Sequence, residues 1–66
     1  MTAKTRLVPG SSVQVGTDLA YLGKPFRVER LEDREPHPTA GPARTAFDYR
    51  GRGMTVFLDH PTQIIA

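Results

Sequence analysis

Apolar and polar residues alternate along two neighbouring segments near the C-terminus. Arg44-Thr45-Ala46-Phe47-Asp48-Tyr49 leads into Arg50-Gly51-Arg52-Gly53, then into Met54-Thr55-Val56-Phe57-Leu58-Asp59. A period of two marks half-buried strands, and the glycines sit where the chain must reverse. The pattern predicts an antiparallel hairpin with a cationic turn. Phe47, Tyr49, Met54, Val56 and Leu58 form its expected inward set. Arg44, Ala46, Asp48 and Arg50, with Thr55 and Phe57 opposite, form the outward set.

The same reading upstream gives shorter pieces. Thr5-Arg6-Leu7-Val8 is a first strand, and Pro9-Gly10-Ser11-Ser12 a turn. Val13-Gln14-Val15 alternates before a second turn at Gly16-Thr17-Asp18. Leu19–Leu22 reads equally as a short strand or a half turn, and Gly23-Lys24-Pro25 is a third turn. Phe26–Glu29 alternates, but the next apolar residue is Leu31. A slipped phase predicts a bulge or a sharp bend. After a break at His60-Pro61-Thr62, Gln63–Ala66 returns as a last strand. From Glu32 to Ala43 the chain holds Pro36, Pro38, Pro42 and Gly41 and few apolar residues. Proline removes ladder donors, so 32–43 is expected to be a long loop.

These elements predict an all-β fold: a small barrel of about five antiparallel strands with a long proline-containing loop. Residues 1–4 are expected to be a flexible tail, and residues 5–66 a single domain. The expected core is Leu7, Val13, Val15, Leu19, Tyr21, Phe26, Val28, Leu31, Phe47, Tyr49, Met54, Val56, Leu58 and Ile64.

Composition narrows the classes. The chain has 66 residues and no cysteine, so disulfides and thiolate metal sites are excluded. A domain this small buries only about 60% of its unfolded surface, which makes a partner or a second copy a natural source of stability. No stretch reaches the roughly 18 apolar residues of a membrane helix. Nor does the N-terminus carry a signal-peptide core, so a cytoplasmic location with no membrane contact is expected. The formal net charge is +2. Glu29, Glu32, Asp33 and Glu35 cluster before the proline segment, predicting an acidic edge opposite a basic side.

Three segments carry a family resemblance: Val13-x-Val15-Gly16, Leu22-Gly23-Lys24-Pro25-Phe26-Arg27-Val28 and Gly51-Arg52-Gly53-Met54-Thr55-Val56. Together they resemble an SH3-like small barrel across residues 7–65. The Gly41–Ala46 stretch also resembles short accessory proteins of actinobacterial and phage type. The chain departs from peptide-binding SH3 domains in lacking their acidic-aromatic patch, and it has no tryptophan.

Enzymatic chemistry finds no support. Ser11 and Ser12 have no linked histidine, and a barrel this small leaves little room for a small-molecule substrate. His37 and His60 match no ligand spacing, so neither a metal nor any other cofactor is expected and both imidazoles should face solvent. The Arg50-Gly51-Arg52-Gly53 turn lacks the following helix of a phosphate loop. A non-enzymatic binding module remains. A protein partner or self-association leads, through the 32–43 loop, Phe57 and the strand edges. Nucleic-acid binding is the alternative, with Arg44, Arg50 and Arg52, extended by Arg27 and Lys24, meeting phosphates and Phe57 meeting a base.

Overall fold

The computed structural model describes residues 4–66. The expected tail at residues 1–4 therefore lies, apart from Lys4, outside the described residues. The carbonyl of Lys4 accepts the Ala66 amide at 2.9 Å.

The fold is all-β, with strands β1 (Thr5–Pro9), β2 (Asp18–Tyr21), β3 (Lys24–Arg27), β4 (Arg30–His37), β5 (Gly41–Phe47), β6 (Gly53–Phe57) and β7 (Pro61–Ile65). They form two antiparallel sheets, ordered β1-β7-β2-β3 and β4-β5-β6. The described residues thus hold seven strands in two open sheets, not five in a closed barrel. Part of the difference arises at the slipped phase. The segment from Phe26 to Leu31 divides at Val28-Glu29, where the Val28 amide donates to Thr17 in the first sheet's loop and the Glu29 amide to Phe47 in the second sheet. Val28 is fully buried at this crossing. Closure fails because β6, laddered to β5 on one side, has no ladder to the first sheet on the other: there a 3-10 turn, Gly10–Ser12, bonds to the segment that follows β6. The amides of Gly10 and Ser11 donate to the His60 and Leu58 carbonyls at 2.9 and 3.1 Å. The approach is close enough that a Cβ at Gly10 would strike the Phe57 carbonyl.

The 32–43 segment is not a loop. It is most of the β4–β5 hairpin, which turns between His37 and Gly41. Its prolines occupy places where no ladder donor is needed. Pro36 lies in the register shift between Arg34 and His37, on an edge strand, and Pro38 lies in the turn. Pro42 offers its carbonyl, which accepts from the Leu58 amide at 3.0 Å.

The core joins Val13, Leu19, Phe26, Val28, Ala46, Val56 and Ile64, with Val8, Leu31 and Met54 packed against it. Four expected core residues are exposed instead: Leu7, Val15, Tyr21 and Tyr49. Val13-Gln14-Val15 is no strand, because the chain turns there. The Thr17 amide donates to the Gln14 carbonyl, and the Gln14 amide to Thr17 Oγ1.

The C-terminal hairpin pairs as expected, but its first arm is in the opposite phase. Ala46 pairs with Met54 and Arg44 with Val56, so these residues share the core-facing side. Phe47 pairs with Gly53 on the other face, where the Arg30 guanidinium covers its ring at 4.3 Å. A one-residue shift of phase moves every side chain of a strand to the other face. Here Ala46, fully buried, fits under the crowded centre, and the glycine opposite Phe47 leaves the ring its space. No helix among the described residues is long and apolar enough to cross a membrane.

Candidate binding groove

Two tight turns define the candidate site. The first joins β2 to β3 at Leu22-Gly23, whose φ values are 51° and 77°. Two successive residues of positive φ make a type I′ turn, the two-residue connection that suits strand twist. Glycine adopts that conformation freely, whereas a bulky residue is strained in it. Leu22 nevertheless holds the first position and is 85% exposed. Strain retained at a surface tip is characteristic of sites under functional demand. In the register of this hairpin Tyr21 faces Lys24 as the closing hydrogen-bonded pair, so Pro25, opposite Ala20, turns its nitrogen toward the open edge. A proline there withholds a donor that an incoming strand would need.

The second turn, Asp48–Arg52, is built by one carboxylate. Asp48 Oδ1 accepts the amides of Arg50 and Arg52, each at 2.9 Å, and Oδ2 accepts Arg52 Nε at 2.8 Å. The Asp48 and Gly51 amides close the turn onto the Arg52 and Asp48 carbonyls. The side chain is only 3% exposed. Burial pushes its pKa up, but the amide and guanidinium of Arg52 and the amide of Arg50 more than reverse this and hold the carboxyl below its ordinary value. Asp48 was expected to point outward; it is instead the buried anchor of the turn.

Between the turns runs a shallow groove of two adjoining cavities. One, of about 240 Å³, is lined by Asp18, Pro25, Phe26, Arg27, Asp48, Tyr49 and Arg52. The other, of about 250 Å³, is lined by Tyr21, Leu22, Lys24, Pro25, Phe26 and Arg52. Tyr21 stands edge-on to Phe26, ring centroids 6.3 Å apart. Tyr49 is 73% exposed. Arg50 lies over its ring at 5.3 Å and donates from Nε to its hydroxyl at 2.8 Å. Arg27 forks onto Asp18, Nε to Oδ1 at 2.9 Å and Nη2 to Oδ2 at 3.2 Å. The hydrogen bond and the charge of Arg27 hold the Asp18 carboxyl below its usual range.

Of the six expected binding residues, Lys24, Arg27 and Arg52 line the groove, and Arg50 stands at its edge through Tyr49. Arg44 and Phe57 lie elsewhere. Arg44 pairs with Asp33 at 3.2 Å, on the core-facing row of the second sheet. Phe57 does fall out of phase with Val56, but its ring stands edge-on to His37 at 5.8 Å and His60 at 6.0 Å. Both imidazoles are exposed yet engaged. His37 Nδ1 accepts the Thr39 and Ala40 amides at 3.2 and 3.1 Å, and His60 Nε2 meets the Ala40 carbonyl at 3.1 Å. A cavity of about 340 Å³ beside them is lined by Arg34, Pro36, His37, Phe57 and their neighbours. Among the described residues no cluster of three metal-ligating side chains occurs.

The groove residues absent from the sequence expectation are Asp18, Tyr21, Leu22, Pro25, Phe26, Asp48 and Tyr49. Both tyrosines were assigned to the core by alternation. The signal for Leu22 was the two-residue spacing of its turn, which forces the side chain outward whatever its hydropathy. No protein-family model, curated protein or solved structure matches this chain.

Proposed function

We propose that the protein is a non-enzymatic protein-binding module whose docking surface is the groove between the two turns. One observation carries this reading. Arg27 and Arg52 are held by Asp18 and Asp48, while Tyr21, Leu22 and Tyr49 stand exposed beside them. Arginines already paired with carboxylates attract a polyanion weakly. Exposed tyrosines framed by arginine are the composition enriched at protein interfaces. The architecture that goes with this proposal is SH3-like: two small antiparallel sheets linked by a chain that bends at Val28-Glu29.

A photo-crosslinking amino acid at position 22, with position 35 on the β4–β5 hairpin as control, tests the reading in cells. A discrete protein adduct from position 22, absent from position 35 and lost with Tyr49→Ala, is the expected result. Equal labelling from both positions would remove the groove from consideration.

The stacking of Arg50 on exposed Tyr49 favours a second reading, single-stranded nucleic acid, since such a pair can receive a base. Fluorescence anisotropy with labelled DNA and RNA at ~50 and ~200 mM salt separates the two, because phosphate contacts weaken steeply over that range. The protein-binding reading expects no salt-sensitive micromolar complex.

A further inference from the structure

The two cavities of the groove differ in charge. The Asp48 end holds two carboxylates, Asp18 and Asp48, against Arg27 and Arg52, and each cation there is within an ion pair of 2.9 or 2.8 Å. Glu29 also lies near enough to act on Arg27. The Tyr21 end has no carboxylate in its wall. The polar residues of its wall are Lys24, Tyr21 and Arg52, the last already paired with Asp48, set among Leu22, Pro25 and Phe26. Among the described residues no salt bridge engages Lys24 or Arg50.

We infer that the groove takes an extended peptide segment in which an Asp or Glu carboxylate enters the Tyr21–Lys24 cavity and a neutral, apolar or aromatic side chain rests against Tyr49. This inference rests on the protein-binding reading and adds the chemistry and direction of the ligand. The carboxylate chooses the Lys24 end because an acid at the other end would face Asp18 and Asp48. Like charges at close range are disfavoured there, and the arginines that could offset them are already committed. The neutral side chain chooses the Tyr49 end because its ring supplies apolar area with paired charges around it. A backbone-pairing mode along β3 is opposed by Pro25, which withholds an edge donor. Recognition is therefore by side chains lying in the two cavities, with Arg52 shared between them.

The test uses the full chain and three pools of labelled short peptides, equal in Leu, Pro and Tyr content but acidic, neutral or basic. Binding is read by fluorescence anisotropy. The acidic pool is expected to bind best, and Lys24→Ala to lower its affinity about fivefold, the scale of one exposed ion pair. Lys24→Glu should abolish the preference for acidic peptides. Tyr49→Ala should weaken acidic and neutral pools alike. Circular dichroism confirms that each variant folds, and both positions are exposed enough for this to be expected. Equal binding of acidic and neutral pools, lost with Tyr49→Ala but untouched by Lys24→Glu, would overturn the carboxylate inference and leave the protein-binding reading standing. Binding of no pool would overturn the peptide inference, the crosslinking at position 22 then deciding the broader reading by itself. Binding of single-stranded nucleic acid in place of every pool would overturn both.

Discussion

Leu22 occupies a backbone conformation that asparagine or glycine adopts at lower cost. Leu22→Asn would create an Asn-Gly turn, and stability should rise by about 1 kcal/mol in urea unfolding. Partner binding should fall in the same variant, which distinguishes a side chain retained for contact from one that is merely tolerated. Gly10 presents the reverse case. Any side chain there meets main chain, not a flexible neighbour, so Gly10→Ala should destabilise by ~3 kcal/mol, at the severe end for overpacking. Asp48 is the third residue whose role follows from local geometry. Its carboxyl is held below the ordinary value in the folded state, so the folded protein resists protonating it. The stability this contributes is present above the unfolded carboxylate range near pH 4 and is lost as pH falls through the lower folded value. Asp18 acts in the same direction. Asp48→Asn should lower the melting temperature at neutral pH and narrow the gap to the wild type as pH drops from ~5 to ~2, measured by thermal melts across that window. A gap that widened toward acid would contradict this assignment.

Each element reflects a compromise between propensity and position. The β4–β5 hairpin carries three prolines within 36–42 and still forms, because the ladder needs nothing from their missing amides. Its tip is organised by His37, whose Nδ1 accepts the amides of Thr39 and Ala40. His37→Ala should speed hydrogen exchange at those two amides by about tenfold, the scale of one lost hydrogen bond, and leave the β1–β7 ladder unchanged. The C-terminal hairpin shows why alternation alone misleads. Arg44–Tyr49 alternates apolar and polar residues, and either phase places some apolar groups inward. The outcome turned on Ala46 and Gly53. A small residue under the core and a glycine opposite Phe47 made the less hydrophobic phase the better packed one.

At the scale of the whole molecule, all-β class, antiparallel pairing, most turn positions and the bend after Val28 were legible from the sequence, because period-two alternation and Gly/Pro punctuation are local properties of the chain. So was the cationic character of the turn at Arg50–Arg52. The number of strands, the open arrangement of two sheets and the true inner face of β5 were not, since each depends on what lies opposite a segment once the chain has folded back. The candidate site divides in the same way. Residue chemistry alone proposed Lys24, Arg27, Arg44, Arg50, Arg52 and Phe57 as one surface. Tertiary structure set Lys24, Arg27 and Arg52 along one groove with Arg50 on Tyr49 at its edge, committed Arg44 to Asp33 and placed Phe57 between two histidines. It also moved Tyr21 and Tyr49 from expected core positions to the surface and set Leu22 at an exposed turn tip. Short-range pattern determines which residues can form strands and turns. Which charges are already paired, and which rings reach solvent, is decided only when segments distant in the chain compete for the same few neighbours.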